Sequence, residues 1–149
     1  MRTITSVTLS LVLGTAALTG CGSGAPSASS WGAKVIAACK SLEADRQAAA
    51  AKLPADRPPT VEELMAFDAA FAPRFESFGK EIEAMKRPAG MDAKIDEMIA
   101  AIDGYSRALA KGGTDRSAAQ AELDADGQTK EAARLEAAGT AAGLSECNG

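Results

Sequence analysis

Between Thr60 and Met85 the apolar residues Leu64, Phe67, Phe71, Phe75, Phe78, Ile82 and Met85 follow one another in steps of three and four. That interval matches the 3.6-residue turn of an α-helix, so the stretch reads as a helix with one apolar seam that needs neighbours to bury it. Its start is equally well specified. Thr60-Val61-Glu62-Glu63 has capping-box form: the threonine oxygen accepts from the amide three residues on, and Glu63 reaches back to the threonine amide. Pro73 falls inside the run but off the seam, which predicts a kink and not a stop.

The same period recurs on both sides of this segment. A first helix is expected over about 30–52, with Trp31, Val35, Ala38 or Cys39, Leu42, Ala49 and Leu53 on one face and Arg46 interrupting it. Pro54 and Arg57-Pro58-Pro59 end it, because proline lacks the amide hydrogen and pushes the residue before it out of the α region. After the turn at Arg87-Pro88-Ala89-Gly90, a third helix is expected to run to Lys111 with Met91, Ile95, Met98, Ile102, Tyr105 and Leu109 aligned. Gly112-Gly113 is expected to close it in the left-handed conformation. A fourth region, from Thr114-Asp115 to about Leu144, carries the weakest seam, through Ala119, Leu123, Ala133, Ala137, Ala141 and Leu144. Asp126 and Lys130 interrupt it, and Gly127 lowers helix propensity by about 1 kcal/mol.

Hydrophobic residues make up 46% of the 149, yet aromatics only 4%, so the core has to be built from small side chains on closely approaching backbones. Beyond the N-terminal segment no strand-like alternation appears. Four helices with short connections predict an all-α fold, an up-down four-helix bundle over residues 31–149.

The first 20 residues read as an export signal: Met1-Arg2-Thr3 gives a positive start, Ile4 to Leu18 is mostly apolar and uncharged, and small residues follow. The run is shorter than the roughly 20 apolar residues a spanning helix needs, and Thr5, Ser6, Thr8, Ser10 and Thr15 interrupt it. Leu18-Thr19-Gly20-Cys21 resembles the lipobox of bacterial lipoproteins. The resemblance implies diacylglycerol on the Cys21 thiol, cleavage before Cys21 and acylation of the new amino group. It places the protein on the extracytoplasmic face of a cell membrane or outer membrane, with the membrane itself as its first partner. Residues 21–30, from the lipidated cysteine through a stretch of Gly, Ser, Ala and one Pro, read as a flexible tether.

With Cys21 given to lipid, Cys39 and Cys147 remain as an even pair in an oxidising compartment. In an up-down bundle the start of the first helix and the end of the fourth lie at one end, so the two can meet as a disulfide. The alternative is a buried free Cys39 with a reactive Cys147 in a loose tail. The ending Gly143-Leu144-Ser145-Glu146-Cys147 is similar to those of small helical actinobacterial lipoproteins that finish with Gly-Leu, two residues and Cys, and this likeness implies no activity.

The chain contains no histidine, which removes the usual general base, the commonest metal ligand and the ordinary haem attachment pattern together. Lys111-Gly112-Gly113-Thr114 lacks phosphate-loop spacing. Glu122, Asp124, Asp126 and Gly127 have the spacing of positions 1, 3, 5 and 6 of a calcium loop, but Ala133 stands where the bidentate glutamate belongs. Met85, Met91 and Met98 invite a soft-metal reading and are better explained as core filler. The phenylalanines read as core or, alternatively, as the wall of an apolar cavity. Asp92, Asp96, Glu97 and Asp103, with Glu81 and Glu83, read as a solvated face and not a glycosidase pair, and Glu76–Lys80 as a helix-stabilising pair.

Net charge is -4, and Lys34, Lys40, Arg46 and Lys52 alternate with acids, so nucleic acid is not an expected partner. The sequence therefore predicts a non-enzymatic, lipid-anchored envelope module without cofactor or metal, acting by contact with another envelope protein or as a structural component. The alternative is a module binding a small apolar ligand or a soft metal between its helices.

Overall fold

The computed structural model describes residues 24–124 and 130–147, and every regular element among them is helical. Helix α1 spans Ala28–Ala50, α2 Val61–Ala84, α3 Asp92–Gly112, α4 Arg116–Asp124 and α5 Lys130–Ala141, and a 3-10 turn covers Ser145–Cys147. The export segment, Cys21, Asp126 and Gly127 lie outside the described residues.

Helix ends follow the local chemistry. Ser27 caps α1 by accepting the Ser30 amide at 3.1 Å. At Thr60 the capping box is complete: Oγ1 accepts the Glu63 amide at 3.3 Å, and Glu63 Oε2 accepts the Thr60 amide at 2.8 Å. Arg57 braces the same carboxylate with both terminal nitrogens, at 2.8 and 2.7 Å. Pro73 does not stop α2; its ring is exposed, the carbonyl that loses its helical donor is that of Ala69 one turn earlier, and Ser77 Oγ donates to the Pro73 carbonyl at 2.9 Å.

α2 packs between α1 and α3, and its contact with α3 is the most extensive in the molecule. Gly79 faces Ile102, Gly112 faces Asp68 and Gly113 faces Ala69, so the two helices run antiparallel. A Cβ on Gly113 would stand 2.7 Å from the Ala69 amide nitrogen, which only bare backbone avoids. This corrects the expectation for Gly112-Gly113. Gly113 has φ -66°, an ordinary right-handed value, and the glycines serve close approach of α2 and not a left-handed cap. The small-residue core expected from composition is realised at this contact.

The left-handed cap occurs instead at Gly143, with φ +79°. The Leu144 amide reaches the Gly139 carbonyl at 2.9 Å, and the Gly143 amide the Thr140 carbonyl at 3.0 Å, closing α5 in a Schellman motif. Leu144 is thereby driven into the core, 3.8 Å from where a Gly32 side chain would begin.

The fourth expected helix is two helices. α4 lies on α2 and α3, whereas α5 packs on α3, with Arg134 bonding Glu97 at 2.9 and 3.0 Å. Asp115 starts α4 by accepting the Ser117 and Ala118 amides at 2.9 and 3.2 Å, and Arg116 pairs with Glu62 of α2. Residues 125–129, between the two, lie outside the described residues. Among the described residues no helix is long and apolar enough to cross a membrane.

Candidate functional site: a cleft between α1 and α5

Helices α1 and α5 flank the α2–α3 pair, yet they do not pack against each other; they are joined through the 3-10 turn. A groove therefore remains between them. The result is a cleft of about 340 Å³ whose floor belongs to α2 and α3 and whose walls belong to α1 and α5. That volume falls at the lower end of small-molecule sites.

The floor is aromatic. Phe71, Phe75 and Phe78 succeed one another with ring centroids 6.0 and 5.8 Å apart, and Tyr105 of α3 meets Phe75 edge-to-face at 4.9 Å. Met98 and Ile102 complete it, while Val35 and Leu42 on α1 oppose Leu135 on α5. The phenylalanine seam read from the sequence as core or as cavity wall is both, because the three rings are buried from bulk solvent and still form the cleft surface.

One end is closed by the Cys39–Cys147 disulfide, with Cα atoms 5.5 Å apart and a sequence separation of 108. The 3-10 turn after Gly143 delivers Cys147 to the middle of α1, so the alternative of two free thiols does not hold. The other end carries charge. Arg46 grips Glu43 through Nε at 2.6 Å and Nη2 at 2.7 Å, and Gln47 adds a bond at 2.9 Å. The Arg46 guanidinium, followed by Gln47, holds the Glu43 carboxyl down at about 2. Glu136 lies on the α5 wall.

Behind Tyr105, on the side covered by α4, sits a group that sequence reasoning missed. Asp68 is 1% exposed, and neither carboxylate oxygen has a hydrogen-bond partner. A Cβ on Gly112 would collide with its Oδ2 and stand 3.1 Å from Glu122 Oε1, so the two carboxyls converge on one patch of bare backbone. Burial, and then the charge of Glu122, pushes the Asp68 carboxyl up to about 7. Burial also raises Glu122, and burial together with Glu122 and Asp68 raises the Tyr105 phenol. A signal was present: Asp68 lies four residues after Leu64 and three before Phe71, on the seam itself.

The other candidates disperse. Met98 is in the cleft floor, while Met85 and Met91 pack half-buried against the core elsewhere. Asp96 bonds Arg87 at 2.6 Å with Asp92 3.9 Å away, Asp103 bonds Arg107 at 2.9 Å, and Glu76 bonds Lys80 at 2.6 Å. Glu81 and Glu83 are exposed. Of the calcium-loop residues, Glu122 is turned toward Asp68, and Asp126 and Gly127 lie outside the described residues. Among the described residues no group of three His, Cys, Asp or Glu side chains could hold a metal ion. A second hollow of about 290 Å³ lies at the α1–α2 corner beside Leu53 and Phe67. Comparison with protein-family models, curated proteins and solved structures finds no match to this chain.

Proposed function

We propose that this chain is a lipid-anchored binding module of the cell envelope, an up-down bundle on a short tether from Cys21, which holds a small apolar molecule between α1 and α5. The observation that carries the reading is the missing α1–α5 contact, which leaves an aromatic floor at the base of a cleft of about 340 Å³. The floor rings are already withdrawn from bulk water, with Phe71 3%, Phe75 5% and Phe78 9% exposed, so a guest would gain chiefly by taking its own apolar surface out of water, at about 25 cal/mol per Å². The cleft therefore favours the binding reading over a purely structural or contact role.

The lipobox resemblance of Leu18-Thr19-Gly20-Cys21 supports the anchor. The Cys39–Cys147 bond suits the oxidising compartment that such export implies.

Titration of the full chain with the neutral probe N-phenyl-1-naphthylamine tests the binding. Saturable fluorescence enhancement is expected, and Leu135→Trp, which plugs the cleft from its half-buried wall, is expected to weaken it at least tenfold. A folded protein that takes up no probe, or a variant that takes it up equally well, would refute the reading.

A further inference from the structure

We infer that α4 is a proton-controlled latch: this short helix lies on α2 and α3 while Asp68 and Glu122 are neutral, and it leaves them as Asp68 takes on charge. The inference stands whether or not the cleft holds a guest, since neither carboxyl lines the cleft.

Three elements build the latch. Asp68 belongs to α2 and Glu122 to α4, and both carboxyls meet at Gly112 of α3, whose missing side chain leaves room for them. Asp68 is buried, and neither of its oxygens has a hydrogen-bond partner. Of the charged and titratable groups nearby, α3 presents the Tyr105 phenol, and α1 presents Arg46, which acts on Tyr105 and is held by Glu43. Lys111, in the last turn of α3, acts on Asp115, and Arg116 of α4 is paired with Glu62 at the surface. None of these cations bonds Asp68, and the charge that acts on it is that of Glu122. A carboxylate so placed has to find a partner, become neutral or reach water. Neutrality suits the docked state, because a protonated carboxyl gains an O–H that its neighbour can accept.

Which element yields follows from how each is held. Asp68 lies within α2, whose contact with α3 is the most extensive in the molecule, and it reaches water only when its cover moves. That cover is nine residues long; among its described side chains Ala119 alone is fully buried, and Leu123 stands 37% exposed. A helix of this length is marginal by itself in water, so α4 unwinds once it leaves the pair. The direction in pH is then fixed. Burial, followed by Glu122, pushes the Asp68 carboxyl up to about 7, whereas it titrates at about 3.8 when exposed. Docking is therefore favoured most below pH 3.8, and the advantage is lost as pH rises toward about 7.

Hydrogen–deuterium exchange of the full chain in the presence of a chelator, corrected for the intrinsic pH dependence of exchange, tests the latch. Between about pH 4.5 and pH 7.5 the protection of the α4 amides is expected to fall at least tenfold. At the upper pH those amides are expected to be at least tenfold less protected than the amides of α2 and α3, which shows α4 opening while the rest stays folded. In Asp68→Asn the fall is expected to vanish, and in Glu122→Gln to shrink. Protection of α4 that is constant with pH, that falls equally in Asp68→Asn, or that matches α2 and α3 throughout overturns the inference. Recovery of protection at the upper pH in millimolar calcium overturns it too, because the carboxyl pair would then serve a metal ion and not a proton.

Discussion

Asp68 occupies a place where its neighbours' spacing calls for an apolar side chain, and its behaviour with pH follows from that burial. Its carboxyl titrates near 7 in the fold and at about 3.8 when exposed, so the folded state holds this proton more tightly than the unfolded chain does. The contribution to stability is fully present below pH 3.8 and is lost as pH rises through about 7. Asp68→Asn removes the slope: its melting temperature is expected to exceed that of the parent by about 5 °C at pH 8, with the gap closing toward pH 4. Equal melting temperatures at pH 8 would show that the carboxylate is not desolvated. Gly104 within α3 and Gly113 at its C-cap give a matched contrast. Nothing lies within 4 Å of a Cβ at Gly104, so Gly104→Ala is expected to stabilise the fold by about 0.5–1 kcal/mol. Gly113→Ala drives a methyl into the Ala69 backbone and is expected to cost about 2 kcal/mol, read as opposite shifts in urea midpoint.

At the scale of elements, the first three helices were legible because seams and prolines agreed and, at α2, the cap as well, down to the reciprocal bonds at Thr60 and Glu63; the expected left-handed close of α3 at Gly112-Gly113 was not. The region after Thr114 was not. Its alanines fit any helical face, and periodicity does not say that Ala119 and Ala138 are buried on two separate helices. The cleft was half legible: the spacing of Phe71, Phe75 and Phe78 shows that they share a face, but whether a neighbouring helix covers that face is decided by packing. Asp68 was overlooked because the seam was traced through hydrophobic residues alone. The pairing of Cys39 with Cys147 was open in the sequence and is closed in the fold. Because that bond spans 108 residues, reducing it is expected to lower unfolding free energy by roughly 4 to 5 kcal/mol in the chain-entropy model. Denaturant curves with and without reductant measure this, and a shift under about 1 kcal/mol would contradict it.

For the whole molecule, anchor and domain are expected to be separable. Cys21→Ser is expected to move the protein from the membrane pellet to the soluble fraction while leaving the thermal transition of the helical domain unchanged. Equal partitioning of the two forms would remove the proposed anchor. Occupancy of the cleft is expected to raise that transition by mass action, about 2.7 kcal/mol at a hundredfold excess of free guest over Kd. The surface ion pairs contribute little by comparison, each within about 1 kcal/mol and weakened by salt.

The Gly143 cap and the turn that follows it have a bearing on the order in which this domain is made. Leu144 and Cys147 fasten a helix begun more than a hundred positions earlier, so the first three helices emerge and collapse while one side of the domain is still unlatched. A polypeptide interrupted just ahead of Leu144 would keep nearly all of its helical content yet lack its clasp, and loss of these few residues would injure the protein more than their number suggests.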